Sequence, residues 1–138
     1  MKTVKLLDSF ALLAYLNGGA GAGKVSELLV AAREGKCDLL MSEINIGESY
    51  YIVSRTRGPG KADYLLENIL PGLPIRYIAG DFPEVIAAAR IKAQYPLSFA
   101  DCFAVATAKR ENASILTGDP EFQSIEHLVS IEWLDRRA

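Results

Sequence analysis

Asp8, Glu48, Asp101 and Asp119 each stand in an apolar stretch of the chain. Their settings are Leu6-Leu7-Asp8-Ser9, Ile46-Gly47-Glu48-Ser49-Tyr50, Phe99-Ala100-Asp101-Cys102-Phe103 and Leu116-Thr117-Gly118-Asp119-Pro120. A carboxylate beside buried apolar side chains is costly unless a cation or hydrogen-bond donors compensate it. One such residue is an accident, whereas four in 138 residues suggest a shared partner. Hard oxygen donors of this kind suit Mg²⁺ or Mn²⁺. The chemistry open to them is therefore divalent-metal chemistry, provided that they converge in space.

Each acid also has an ordinary structural explanation. Asp8 is placed to cap a helix, because its carboxylate can accept from the free N–H groups of the first turn. Asp119-Pro120 is a good cap and first-turn proline pair, and Ser98-x-x-Asp101 fits a capping box. Glu48 resists such a reading, since its neighbours at helical spacing include Ile44, Asn45, Tyr51 and Ile52, a partly apolar stripe. Asp101 shares its stripe with Ala104, Val105 and Ala108. Glu43 is the rival to Glu48, but it falls in the first turn of the same helix, where an acid favours the helix dipole. Glu48 is preferred.

The elements that must position these residues follow from the pattern of apolar runs and breakers. Thr3–Leu7 reads as a buried strand, followed by a helix from Ser9 to about Leu16, a loop at Gly18–Gly23 and a helix over Lys24–Glu34. Asp38–Met41 is a second strand, and Ser42 caps a helix to about Arg57, stopped by Gly58-Pro59-Gly60. Lys61–Leu70 is helical, Ile75–Ala79 a strand, and Asp81 with Glu84 makes a capping box for a helix to about Gln94. Ser98–Asn112 is helical, and Ser114–Thr117 and Leu128–Trp133 are strands. Strands alternating with helices in this way imply βαβ units, a mainly parallel sheet and a three-layer α/β/α sandwich. Ligands of such sheets bind beyond the carboxyl ends of the strands, where Asp8 and Asp119 fall.

Composition narrows the alternatives. Residues 1–138 are read as one domain, with half of them hydrophobic and enough chain for a core without disulfides. A net charge of −2 provides no global basic field for nucleic acid. Cys37 and Cys102 lack zinc or redox spacing, and a single histidine, His127, rules out a His-rich metal site. The segment Lys2 to Gly23 loosely mimics a secretory signal, but Asp8 interrupts its apolar part. No apolar run is long enough for a membrane span, so the expected compartment is the cytoplasm. Gly18-x-x-x-x-Gly23-Lys24 matches most of a P-loop, yet Val25 stands where a hydroxyl must hold Mg²⁺. Tyr50, Tyr51 and Tyr64 could stack on bases, although aromatics at these spacings more often serve a core or a dimer contact.

In order and spacing, four motifs together resemble the PIN-domain nucleases, and among them the small VapC-like toxins of toxin–antitoxin pairs. They are Leu7-Asp8-Ser9-x-x-Leu12-x-x-x-Leu16, Ser42-Glu43-Ile44-x-x-Gly47-Glu48-x-x-Tyr51, Leu97-Ser98-x-Ala100-Asp101-x-x-Ala104-x-Ala106-Thr107-Ala108 and Leu116-Thr117-x-Asp119-x-x-Phe122. Phe10 departs from the pattern, standing where members often carry a small polar residue.

The resemblance implies a Mg²⁺- or Mn²⁺-dependent endoribonuclease. Asp8, Glu48 and Asp101 would be the principal ligands, and Asp119 would complete the cluster. Ser9, Ser98 and Thr117 are candidates to orient the carboxylates, with ordinary capping as the alternative. Arg55, Arg57, Lys61, Lys109 and Arg110 are the cations available to hold RNA phosphates. A homodimer and a cognate antitoxin that occludes the acidic site are implied as well. The alternatives are an RNA-processing nuclease without an antitoxin and a catalytically silent interaction module. Retention of all four acids argues against the silent module.

Overall fold

The computed structural model describes residues 2–135. Its centre is a five-stranded sheet in the order β3-β2-β1-β4-β5, formed by β1 (Thr3–Leu7), β2 (Cys37–Ser42), β3 (Ile75–Ile78), β4 (Ser114–Thr117) and β5 (Ile131–Trp133). Every neighbouring pair of strands is parallel. Side chains alternate across a strand, and here both faces are apolar, as a sheet covered on two sides requires. Leu6, Leu40 and Ile115 enter one core, while Leu7, Leu39, Met41 and Leu116 enter the other. The result is the expected three-layer α/β/α arrangement.

The helices α5 (Phe82–Lys92) and α6 (Phe99–Glu111) cover the first face, and α1 (Ser9–Asn17), α2 (Ala22–Arg33) and α4 (Pro59–Tyr64) cover the second. Helix α3 (Glu43–Arg57) reaches both: Ile44 packs on the first core and Val53 lies in the second. It also touches α1 and α6, which is what brings their N-terminal ends to one place.

Several boundaries differ from the sequence expectation, for local reasons. Helix α2 begins at Ala22 rather than Lys24, because Gly21 (φ 89°) turns the chain earlier than the glycine run suggested. A Cβ at Gly21 would stand 3.3 Å from Asp135 O and Leu134 Cβ, so this turn also needs its lack of a side chain. Pro59 opens a new helix instead of merely ending the last one, as its fixed φ allows. The stretch expected to be helical to Leu70 continues as a π-helical turn (Leu65–Ile69) and a short 3₁₀ turn (Leu70–Gly72). Strand β5 starts at Ile131 rather than Leu128, since Val129 is buried from a turn. None of these shifts moves a candidate acid.

Candidate functional site

The strand order places the topological switch point between β1 and β4, where the connections leave in opposite directions. Crevices at such points are where ligands bind in open parallel sheets. Leu7 of β1 pairs with Leu116 of β4, so the residues that follow, Asp8 and Thr117, meet at the mouth of the crevice.

Asp8 is 1 % exposed and caps α1, with Oδ1 accepting from Ala11 N at 2.9 Å. Its other oxygen, Oδ2, accepts a very short bond from the Thr117 hydroxyl. Thr117 Oγ1 in turn accepts from Asp119 N at 3.0 Å. One buried threonine thus ties Asp8 to the loop that carries Asp119. Asp119 itself caps the 3₁₀ turn Pro120–Ile125, with Oδ1 accepting from Glu121 N at 3.0 Å. Capping and convergence coexist: in each residue the cap occupies one carboxylate oxygen.

Asp101 lies in the first turn of α6, whose cap is Ser98, the hydroxyl accepting from Asp101 N at 3.1 Å. Glu48 sits a turn into α3 and is held by two donors on the same oxygen. Ser9 Oγ donates to Oε1 at 2.6 Å and Asn45 Nδ2 donates at 3.4 Å. Asn45 is completely buried and also donates to Ala100 O at 3.3 Å, linking α3 to the turn that presents Asp101. Its Oδ1 is buried and has no partner among the described residues.

Electrostatics tie Asp8 and Asp101 to the neighbouring acids. Burial pushes the Asp8 carboxyl up to about 8; the bonds from Thr117 and Ala11 N oppose this, and the charges of Asp101 and Asp119 add to it. Burial, then the charges of Asp119 and Glu48, push Asp101 up to about 7, with Ser98 opposing and Glu121 adding a little. Asp101 is therefore the hub, since it feels or influences every other member. Carboxyls in this state are poorly compensated by the protein alone.

Glu121 is a member that the sequence reading missed. Carboxylate oxygens of Asp101, Asp119 and Glu121 all lie within 4.8 Å of one another. Its signal was the Asp119-x-Glu121 spacing, hidden because an acid after a proline looks like an ordinary first-turn charge. Asn45 was missed as a contributor too, having been treated only as a neighbour of Glu48.

Other residues singled out from sequence fall elsewhere. Glu43 is exposed and lines a hollow of about 620 Å³ with Ile46, Tyr50, Leu66 and Tyr77, apart from the acids. The Tyr50 hydroxyl is committed to Asp63 at 2.5 Å. Arg110 is committed as well: it pairs with buried Glu84 at 2.6 Å, and Glu84 accepts from Thr107 Oγ1 at 2.8 Å. The capping box expected at Asp81 is thus only half formed, with Asp81 accepting from Glu84 N while the Glu84 side chain turns inward. His127 bonds with the Tyr95 hydroxyl, and both cysteines are free and buried. Among the described residues, no helix is long and apolar enough to cross a membrane.

A donor set of carboxylates fits a hard divalent cation. Comparison with known proteins bears on the same region. The sequence profile described as PIN domain matches residues 5–128. Solved structures of the same fold include VapBC2 from Rickettsia felis bound to a DNA fragment from its promoter (16 % identity, TM-score 0.73), covering 96 % of this chain and 100 % of that one. Another is VapC20 of Mycobacterium tuberculosis, a sarcin–ricin loop cleaving toxin (17 % identity, TM-score 0.68, 89 % and 95 % covered). A third is FitAcB from Neisseria gonorrhoeae (21 % identity, TM-score 0.66, 92 % and 95 % covered). No functionally curated protein matches the sequence.

Proposed function

The chain belongs to the PIN domain family, and from that premise we propose that it is a divalent-metal-dependent endoribonuclease, the toxin of a toxin–antitoxin pair. The observation that carries the reading is the convergence of acids from four separate elements at the β1–β4 switch point, with Asp8 and Asp101 raised to about 8 and about 7. Nothing in the folding of the sheet requires that crowding, and a divalent cation relieves it.

In this reading Asp8, Glu48, Asp101 and Asp119 hold Mg²⁺ or Mn²⁺, directly or through water, and Glu121 widens the cluster on the Asp119 side. When bound, the cation supplies charge stabilisation for phosphoryl oxygens and a lowered pKa for the attacking water. The chain's other residues fix geometry. Thr117 and Ala11 N orient Asp8, Ser9 and Asn45 orient Glu48, and Ser98 sets the first turn that carries Asp101. Such supporting contacts normally matter to metal affinity nearly as much as the ligands.

The toxin assignment is supported by the structural neighbours, which include toxin–antitoxin complexes. An antitoxin would cover the acidic crevice, with a basic side chain suited to enter it, and the active assembly is a homodimer in the cytoplasm. The substrate is RNA.

The test is cleavage of a mixed RNA by the purified protein with Mg²⁺ or Mn²⁺, with chelator, and beside Asp101→Asn. Cleavage that needs metal and drops at least a hundredfold in the variant is expected. A well-folded protein that neither binds metal nor cleaves RNA would instead be a silent interaction module.

A further inference from the structure

Helices α5 and α6 follow one another through residues 93–98 and pack side by side, leaving a groove of about 600 Å³ between them. That volume is within the range of small-molecule sites. Ala87 of α5 and Ala106 of α6 line it, and their single methyl groups leave the space open. Ile91 and Leu128 extend the apolar surface. None of the acids at the switch point lines this groove, and Lys109 in its wall stands about 12 Å along α6 from Asp101.

Four charged residues border the groove: Glu84, Arg90, Lys109 and Arg110. The one carboxylate is already engaged. Its side chain is 4 % exposed, with Oε1 on Arg110 at 2.6 Å and Oε2 accepting from Thr107 Oγ1 at 2.8 Å. Arg110 also meets Glu111 at 3.5 Å, but a guanidinium carries five N–H donors and two carboxylate contacts do not exhaust them. Arg90 and Lys109 are exposed and make no ion pair among the described residues. All three cations stand in the last turn of a helix, where cations are ordinary, and Arg55 and Arg57 on α3 are unpaired as well. What distinguishes this group is the cavity that it borders from both helices. Three cations against one carboxylate leave an excess of two positive charges around an apolar hollow, on a chain whose net charge is −2.

We propose that the groove between α5 and α6 binds an organic phosphate monoester with a flat apolar body, an aryl phosphate or a nucleoside monophosphate. The proposal is independent of the nuclease reading. A phosphate monoester carries about −1.5 to −2 at neutral pH, which matches the excess of charge, whereas a carboxylate matches only half of it. Arg90 and Lys109 approach the phosphate from opposite walls, and Arg110, oriented by buried Glu84, offers its remaining donors in the fixed geometry that suits phosphate oxygens. The body of the ligand lies on Ala87, Ala106 and Leu128, where it covers apolar surface that is otherwise wet.

The test is a ligand-observed NMR titration of the full chain at neutral pH with chelator present, so that no metal at the acid cluster captures phosphate. Phenyl phosphate and adenosine monophosphate are the probes, and inorganic phosphate and adenosine are the controls. At least one ester is expected to bind about tenfold or more tightly than either control. The better ester identifies the body as a simple aryl group or a nucleoside. Arg90→Ala and Lys109→Ala should each weaken binding about threefold, and together about tenfold. Ala87→Leu fills the groove while leaving every cation in place, and should abolish saturable binding. Lys36→Ala, whose lysine pairs with Glu34 outside the groove, should change nothing. Circular dichroism confirms that each variant is folded; should Ala87→Leu not fold, the two cation variants decide. Inorganic phosphate that binds as tightly as the esters overturns the proposal, because the apolar floor then plays no part. Absence of saturable binding by both esters overturns it too, as does binding that survives Arg90→Ala combined with Lys109→Ala.

Discussion

At the scale of single residues, Asn45 is the least replaceable neutral side chain near the acids. It is buried, and one amide nitrogen serves both Glu48 and the carbonyl of Ala100, beside Asp101. Asn45→Ala removes the only link of this kind between α3 and the start of α6 among the described residues. Because partners of metal ligands typically control affinity by tenfold or more, Mn²⁺ binding followed by calorimetry should weaken about tenfold while the fold is retained. Affinity equal to that of the parent would show that Ser9 alone holds Glu48. The acids themselves were readable in the sequence because a carboxylate in an apolar stretch is anomalous wherever it occurs. Asn45 and Glu121 were not readable on those grounds. An asparagine in a helix and an acid after a proline are commonplace, and only the fold shows where they are aimed.

Elements reveal a second buried charge, unrelated to the site. Glu84 on α5 is 3 % exposed and is compensated across the helix pair by Thr107 and Arg110 of α6. Removing the cation leaves the carboxylate buried with a single hydroxyl, a greater loss than the pair is worth when intact. Arg110→Ala should therefore lower unfolding stability by about 1–2 kcal/mol, allowing for the half-exposed guanidinium. Adding Glu84→Gln should recover part of that loss, and RNA cleavage per folded molecule should stay constant. Denaturant midpoints of the two single variants and the double variant measure the coupling; additive losses would mean that the pair is idle. The sequence reading had Arg110 among the cations available to hold RNA, and Glu84 completing a capping box with Asp81. The structure gives both a tertiary partner that periodicity cannot disclose. The strands and the other helices were legible because both faces of a parallel sheet must be apolar. Their ends were not, since Gly21, Pro59 and Val129 set boundaries through turn geometry and burial rather than through pattern.

The whole molecule pays for its site in stability, and the sign of that cost can be worked out. Asp8 and Asp101 have carboxyls raised from 3.8 to about 8 and about 7, so the folded chain holds their protons more tightly than the unfolded chain does. Their contribution to stability is fully present below about pH 4 and is lost as the pH rises through about 7 to 8. Without metal, the melting temperature should fall between about pH 5.5 and about pH 8. A divalent cation binds the ionised carboxylates and so reverses the trend. At a concentration of about 100 times Kd it contributes about 2.7 kcal/mol, a rise of several degrees in Tm, and the rise should be larger at pH 8 than at pH 5.5. Asp101→Asn should flatten the metal-free pH slope and abolish most of the Mn²⁺-induced rise, because it removes one of the two raised carboxyls and a charge that helps to raise the other, Asp8. Thermal melts at both pH values, with Mn²⁺ and with chelator, separate the possibilities. A metal-free protein that melts higher at pH 8 than at pH 5.5, or a Tm indifferent to Mn²⁺ at pH 8, would mean that the acids gathered at the switch point do not form one cation site.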